Sequence, residues 1–211
     1  MKYSLKLEGK SNKMESWHLF IRKLYNFDNL LVSLFSKKKM LCRMLLLRDT
    51  ANNKLVEAEI IIAKTSDMPL KKDGWNFNWR LLVKEHDAQT FTLRIKESPS
   101  NIQGVLHLKT KNEMLIMDVL EIAPGDIGRK NKQYENVAGS LIAFACRESF
   151  KIEGAYKGYL TFVSKTKLID WYIEKYGAQK ALGQRMFIDP DAGIALIEKY
   201  LGMRGKSSYE K

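Results

Sequence analysis

Between Gly125 and Asn136 the chain is polar and basic, and three cations, Arg129, Lys130 and Lys132, stand directly before an apolar-periodic segment. Upstream, Met114 to Ile122 has the composition of a strand, interrupted by Pro124 two residues later. Downstream, Val137, Leu141, Phe144 and Ala145 recur on one helical face, in a helix expected to end near Phe150. A strand, a polar loop and a helix in that order offer the loop unpaired backbone N–H groups and the positive end of a helix. The chemistry this suits is the holding of phosphate. The strand carries two carboxylates, Asp118 and Glu121. Being three apart, they point to opposite faces of a regular strand, and share a face only where a bulge intervenes. The three histidines are isolated in sequence, and only His107 alternates with apolar neighbours, Leu106 and Leu108, on an expected strand. Cys146 falls inside the apolar helix, where it reads as a small buried residue. No metal-ligand spacing is present.

Other elements must position these residues. Residues 1–13 are lysine-rich without periodicity and read as an arm, whereas Trp17 to Leu34 repeats apolar residues every three or four positions, which is helical. Met40 to Leu47 is an apolar run whose type periodicity does not decide, and residues 49–53 have turn chemistry. Strands are expected at Val56–Ala63, Thr90–Lys96 and Val105–Lys109, besides Met114–Ile122. The stretch Asp73–Trp79 is a loop crowded with Trp75, Phe77 and Trp79, read either as pinned to the core or as the wall of a substrate pocket. Later, Tyr159–Ser164 and Gln184–Ile188 read as strands and Lys167–Tyr176 as a helix closed by Gly177. Asp189-Pro190 pairs an N-cap with a first-turn proline, opening a helix that runs to Leu201 and stops at Gly202.

A chain of 211 residues with two cysteines buries a core without staples and suits a reduced, cytoplasmic setting. No apolar stretch approaches the ~20 residues a membrane span needs, and the first residues lack a signal-peptide core. The net charge of +12 admits an acidic partner, whether nucleic acid, anionic lipid or a phosphorylated cofactor, although the lysines are spread along the chain.

Gln133-Tyr-Glu-Asn136-Val-Ala138 resembles the Q/R-x-x-G-x-G/A signature of the GNAT (GCN5-related N-acetyltransferase) superfamily, with Asn136 where glycine is usual. Asparagine is among the few non-glycine residues that enter the left-handed region readily. Met114 to Pro124 looks like the family's fourth strand with its proline-marked loop entry. Lys167 to Ala178 is similar to its late helix, with Tyr172 five residues before Gly177 rather than four and Ala178 in place of phenylalanine. The likeness covers about 100 residues, and divides the chain into an N-terminal helical extension (1–50), an acetyltransferase domain (51–203) and a loose tail (204–211).

The resemblance implies an α/β fold with a mixed, mostly antiparallel sheet flanked by helices and splayed between its fourth and fifth strands. Acetyl-CoA would lie in the cleft as acetyl donor, with phosphates on Arg129, Lys130, Lys132, Gln133, Tyr134, Asn136, Val137, Ala138 and Gly139. A backbone N–H between Leu120 and Ile122 would steady the oxyanion. Acetyl transfer to a primary amine also needs a base and a proton for the leaving thiolate. Glu121, with Asp118 second, is the expected base, and Tyr172, with Tyr176 one turn on, the expected acid. The alternatives are a basic nucleic-acid-associated protein, including an enzyme acting on RNA-bound amines, and a CoA-binding module without catalysis.

Overall fold

The computed structural model describes residues 45–128 and 132–202. The expected arm, the helix Trp17–Leu34 and the tail lie outside the described residues, as do Arg129 and Lys130. The extension expected over 1–50 is described only from Leu45, where the undecided apolar run becomes strand β1 (Leu45–Asp49). The turn after it is built by its own side chains: Asp49 Oδ1 accepts from Ala51 N (2.9 Å), Asn52 Oδ1 accepts from Lys54 N (3.0 Å), and Asn53 takes φ 57°. Strand β2 (Leu55–Ile62) returns antiparallel.

Strands β3 (Ala88–Ile95), β4 (Ser98–Lys111) and β5 (Met114–Ile122) extend the antiparallel sheet. The β4–β5 hairpin closes through Asn112 and Glu113, both at positive φ (50° and 59°), as a two-residue turn matched to the strands' twist requires. After β5 come the two-residue β6 (Tyr134–Glu135), helix α2 (Val137–Ser149), β7 (Leu160–Val163), α3 (Ile169–Tyr176), the short β8 (Gln179–Lys180), β9 (Arg185–Ile188) and α4 (Pro190–Leu201). A four-residue helix, α1 (Trp79–Leu82), precedes β3. The sheet runs β6-β1-β2-β3-β4-β5-β7-β9-β8, and among the described residues every pairing is antiparallel except β5 with β7.

The larger core packs Leu93, Leu106, Leu115, Met117, Leu160 and Ile188 of the sheet against Leu141, Ile142 and Ala145 of α2 and Leu196 of α4. On the other sheet face Trp75, Trp79, Met68, Ala63 and Val105 form a second, smaller core. Helices α2 and α4 approach closely because Gly139 has no side chain: a Cβ there would lie 2.4 Å from the Tyr200 ring. Asp189 caps α4, its Oδ1 accepting from Ala192 N at 2.8 Å, and Gly177 and Gly202 close α3 and α4 at φ 65° and 64°. Among the described residues, no helix is long and apolar enough to cross a membrane.

Strand β5 is irregular in two places. His107 pairs with Val119 but Leu108 pairs with Met117, so Asp118 is an extra, bulged residue. Leu115 and Met117 therefore face the helices, whereas beyond the bulge Val119 and Glu121 join the face of the smaller core. Second, the parallel pairing of β5 with β7 stops at Met117–Phe162. Among the described residues β5 keeps β4 alone from Asp118 onward, and the sheet splits. Counted from β2 and leaving out β6, the split falls between the fourth and fifth strands. The architecture is the expected one, a mixed, mostly antiparallel sheet flanked by helices.

Candidate functional site

The fork opens beside the start of α2. Asn136, its N-cap, has φ 69° and ψ 8°, a left-handed conformation, and its side chain accepts nothing from the first helical turn. An asparagine pays little strain there, and a β-branched residue would suffer more. Asn136 is exposed, Ala138 half-buried, and Val137 and Gly139 buried. Of the expected phosphate contacts, the backbone before α2 thus stands at the surface, while the Val137 and Gly139 side positions pack inward.

The loop before Asn136 is more ordered than its polar sequence implies. Tyr134 and Glu135 pair with Asp49 and Arg48 of β1, Gln133 O accepts from Thr50 N (3.0 Å), and Lys132 O accepts from the Thr50 hydroxyl. Tyr134 is buried, with its phenol pushed above its usual value by burial, so it is a packing residue of the loop and not an exposed contact. Inside the loop Asp126, 1% exposed, accepts from Gln133 N (2.7 Å) and Tyr134 N (2.9 Å) through Oδ1. Its Oδ2 has no partner among the described residues. Burial raises the Asp126 carboxyl above its usual range, although the two backbone donors pull the other way. Nothing in the run Pro-Gly-Asp marks Asp126 as an anchor; only the folded loop does.

Two further cations come to this end of the molecule from distant sequence. Lys175 of α3 lies over the rings of Trp171 (5.1 Å) and Tyr176 (5.5 Å), and Lys199 of α4 lies over Tyr200 (5.1 Å), the ring seated against Gly139. Burial, with the positive charges of Lys132 and Lys199, holds the Lys175 ammonium below its usual value. Lys132, Lys175 and Lys199 therefore lie within electrostatic reach of one another at the head of α2, with the Glu135 carboxylate acting against them.

Glu121 and Asp118, separated by the bulge geometry, lie on one face. Glu121 is 6% exposed, and both its oxygens are taken. Oε1 accepts from Asn76 N (2.6 Å) and Asn76 Nδ2 (2.8 Å), and Oε2 from Trp79 Nε1 (2.7 Å) and, at 3.4 Å, Phe77 N. Gly74 packs on Pro124 at the end of the same strand. The aromatic loop is thereby pinned through Trp75 and Trp79, whereas Phe77 stays 41% exposed. Asp118, at the fork, pairs with Lys109 (2.9 Å), which also holds Glu85 (2.8 Å). Behind them His107 is fully buried, bonded to the Thr90 hydroxyl through Nδ1 (2.8 Å), with Nε2 3.6 Å from Glu85. Burial lowers its basicity, against the raising influence of Glu85 and Asp118.

Tyr172 and Tyr176 differ in access. Tyr172 is half-buried, its ring 4.8 Å from that of Phe162, the last β7 residue paired with β5. Tyr176 is 2% exposed, packed among Trp171, Tyr172 and Tyr200, with its hydroxyl unpartnered among the described residues. Burial pushes both phenols up, Tyr176 the further.

No family model matches the chain, and no curated protein matches it. Among solved structures it is similar to AtaTR bound with AcCoA, at 13% identity over 66% of this chain and 97% of that one, with a TM-score of 0.48. It is similar to the KacTA–DNA complex at 14% identity, covering 68% and 99%, with a TM-score of 0.48. A spermidine N-acetyltransferase chimera of SpeG from Vibrio cholerae and hSSAT aligns at 12% identity over 65% and 98%, with a TM-score of 0.47.

Proposed function

We propose that this chain is an acetyl-CoA-dependent N-acetyltransferase of the GNAT type, transferring an acetyl group to a primary amine by direct attack. The observation that carries the proposal is the left-handed Asn136 at the head of α2, beside a sheet that forks at Asp118. Acetyl-CoA would lay its phosphates along Lys132 to Gly139, with Arg129 and Lys130 adding charge and the N–H groups of α2's first turn donating. Beyond Met117, the β5 backbone groups directed away from β4 have no strand partner among the described residues, which leaves an N–H near Leu120 or Ile122 to donate to the developing oxyanion.

Of the two carboxylates, Glu121 holds the aromatic loop with both oxygens. It is better suited to fixing the acceptor side of the cleft than to taking a proton. Asp118, partly exposed at the fork, is the carboxylate for deprotonating the arriving ammonium, directly or through water. Tyr172 is the proton donor to the departing thiolate: its phenol is kept protonated by burial and still reaches the surface, whereas Tyr176 is sealed in the core.

The test is thermal unfolding with acetyl-CoA. At a hundredfold excess over its dissociation constant, acetyl-CoA should stabilise the protein by about 2.7 kcal/mol. An unmoved transition at millimolar acetyl-CoA overturns the cofactor assignment. Once an amine screen finds an acceptor, Tyr172→Phe should leave acetyl-CoA affinity intact and lower turnover by roughly 100-fold. Tyr176→Phe should leave turnover nearly as it was. The reverse result moves the acid one helical turn.

A further inference from the structure

Asp118 does not stand alone at the fork. The bulge in β5 brings it beside β4, where the Lys109 ammonium donates to its Oδ2 at 2.9 Å. The same ammonium lies 2.8 Å from Glu85 Oε2. Glu85 comes from the turn that ends α1, in which Lys84 N donates to Leu81 O (3.1 Å) and Glu85 N to Leu82 O (3.1 Å). Leu82 and Val83 pack on the smaller core, as Val119 does from β5, and so hold that turn against the sheet. A carboxylate of the α1 turn and a carboxylate of β5 thus meet through one lysine of β4.

All three side chains are partly exposed, so the ion pairs themselves add little stability. Their arrangement matters more. Lys109 takes one oxygen of Asp118, and Oδ1 has no partner among the described residues. An incoming ammonium therefore has an acceptor atom that the lysine does not block. The charges do not cancel either: two carboxylates against one ammonium leave one net negative charge. Asp118 paired with Lys109 alone would be neutral and would draw no cation; Glu85 restores the attraction. His107 behind them adds no positive charge near neutral pH, because burial lowers its basicity. The two accepting carboxylates hold the Lys109 ammonium above its usual value, so the lysine stays charged.

We infer that Lys109 and Glu85 are positioning residues for the acceptor amine: Lys109 fixes Asp118 by Oδ2 and leaves Oδ1 for the acceptor, and Glu85 offsets the lysine's charge so that a single ammonium is drawn to Asp118. The inference rests on Asp118 as the base of the proposed acetyl transfer.

The experiment is steady-state kinetics of the full chain with acetyl-CoA and propylamine, whose ammonium is its only polar group, following release of the CoA thiol. Glu85→Gln should raise the propylamine KM about threefold with kcat nearly unchanged, the size expected for one partly exposed charge. Lys109→Met should do the opposite to KM, lowering it, because both carboxylates then face the ammonium unopposed. Its kcat should fall about tenfold or more, because Asp118 is no longer held in place. Lys109→Arg should recover most of that kcat. In an Asp118→Asn background Lys109→Met should cost nothing further, as a residue acting through Asp118 requires and a merely structural one does not. Melting curves with and without acetyl-CoA, run on every variant, report folding and cofactor binding separately. KM shifts of the same sign in Glu85→Gln and Lys109→Met, or additive losses in the double variant, overturn the inference and leave acetyl transfer standing. So does parental turnover in Asp118→Asn, or a parent that binds acetyl-CoA but releases no thiol with propylamine. A parent whose melting acetyl-CoA does not move overturns the cofactor assignment and this inference with it.

Discussion

Two loops flank the open end of β5, and each hangs on one buried carboxylate. On the side of the aromatic loop Glu121 takes donors from Asn76, Phe77 and Trp79 on both oxygens. On the side of the loop before α2 Asp126 takes Gln133 N and Tyr134 N on one oxygen and leaves the other unpartnered among the described residues. The first anchor is saturated and the second half-used. A saturated carboxylate fixes its loop firmly and has little capacity left for proton transfer. A half-used one bears a burial cost that its bonds do not fully offset, and its loop is correspondingly easier to remodel around a ligand.

The largest effect expected from this difference is on stability. Glu121→Ala strands the Trp79 indole N–H and the Asn76 amide near a buried carboxylate site, and each unsatisfied buried group costs about 1–3 kcal/mol. Urea unfolding should therefore show a loss of roughly 3 kcal/mol, with Glu121→Gln losing less because one acceptor oxygen survives. Acetyl-CoA affinity in the Gln variant should stay as in the parent. If Glu121→Gln instead lowers kcat about 100-fold or more at full stability and unchanged acceptor KM, Glu121 is a base and the contrast between the anchors fails.

A smaller effect tests the proposed role of the loop before α2. Asn136→Val forces a branched side chain into φ 69°, a conformation whose strain is of order 1–3 kcal/mol, and should weaken acetyl-CoA binding by about tenfold or more. Asn136→Gly should bind as well as the parent or better. Equal binding by the valine variant means that the phosphates do not lie on this loop.

The smallest effect separates the anchors by pH. Asp126's folded pKa is raised, so the folded state holds that proton more tightly than the unfolded one. Its ionised form destabilises the fold at neutral pH, and this cost is relieved as pH falls through the raised pKa. Relative to the parent, Asp126→Asn should be most favourable near neutrality, and the advantage should shrink as pH falls toward the carboxylate range, by at most about 1.4 kcal/mol per pH unit. A difference that does not vary with pH shows that Asp126 titrates normally.

Much of this arrangement was legible in the residues. Met114–Ile122 as a strand, the helix beginning at Val137, and Asp189-Pro190 opening the last helix are all observed at those positions. The tolerance of Asn136 for a left-handed backbone followed from its chemistry alone. Some features were not legible. The bulge at Asp118 has no local signal, because it arises from the pairing of β5 with β4, and it alone brings Asp118 and Glu121 to one face. The polar run before Asn136 hid the β6–β1 pair, since a two-residue strand leaves no period to detect.

What the sequence determined by itself is local: hydrophobic period, capping residues, turn chemistry and the backbone freedom of Asn136, each set by a residue and its near neighbours. What only the tertiary structure decided is which distant groups meet. Glu121 finds its donors some forty residues upstream. Lys175 and Lys199 reach the head of α2 through the packing of α3 and α4, and Tyr159 meets Phe187 through sheet register. Hydrogen bonds and charge effects act over a few ångströms of space, so residues far apart in the chain acquire a shared role only once the fold has placed them side by side.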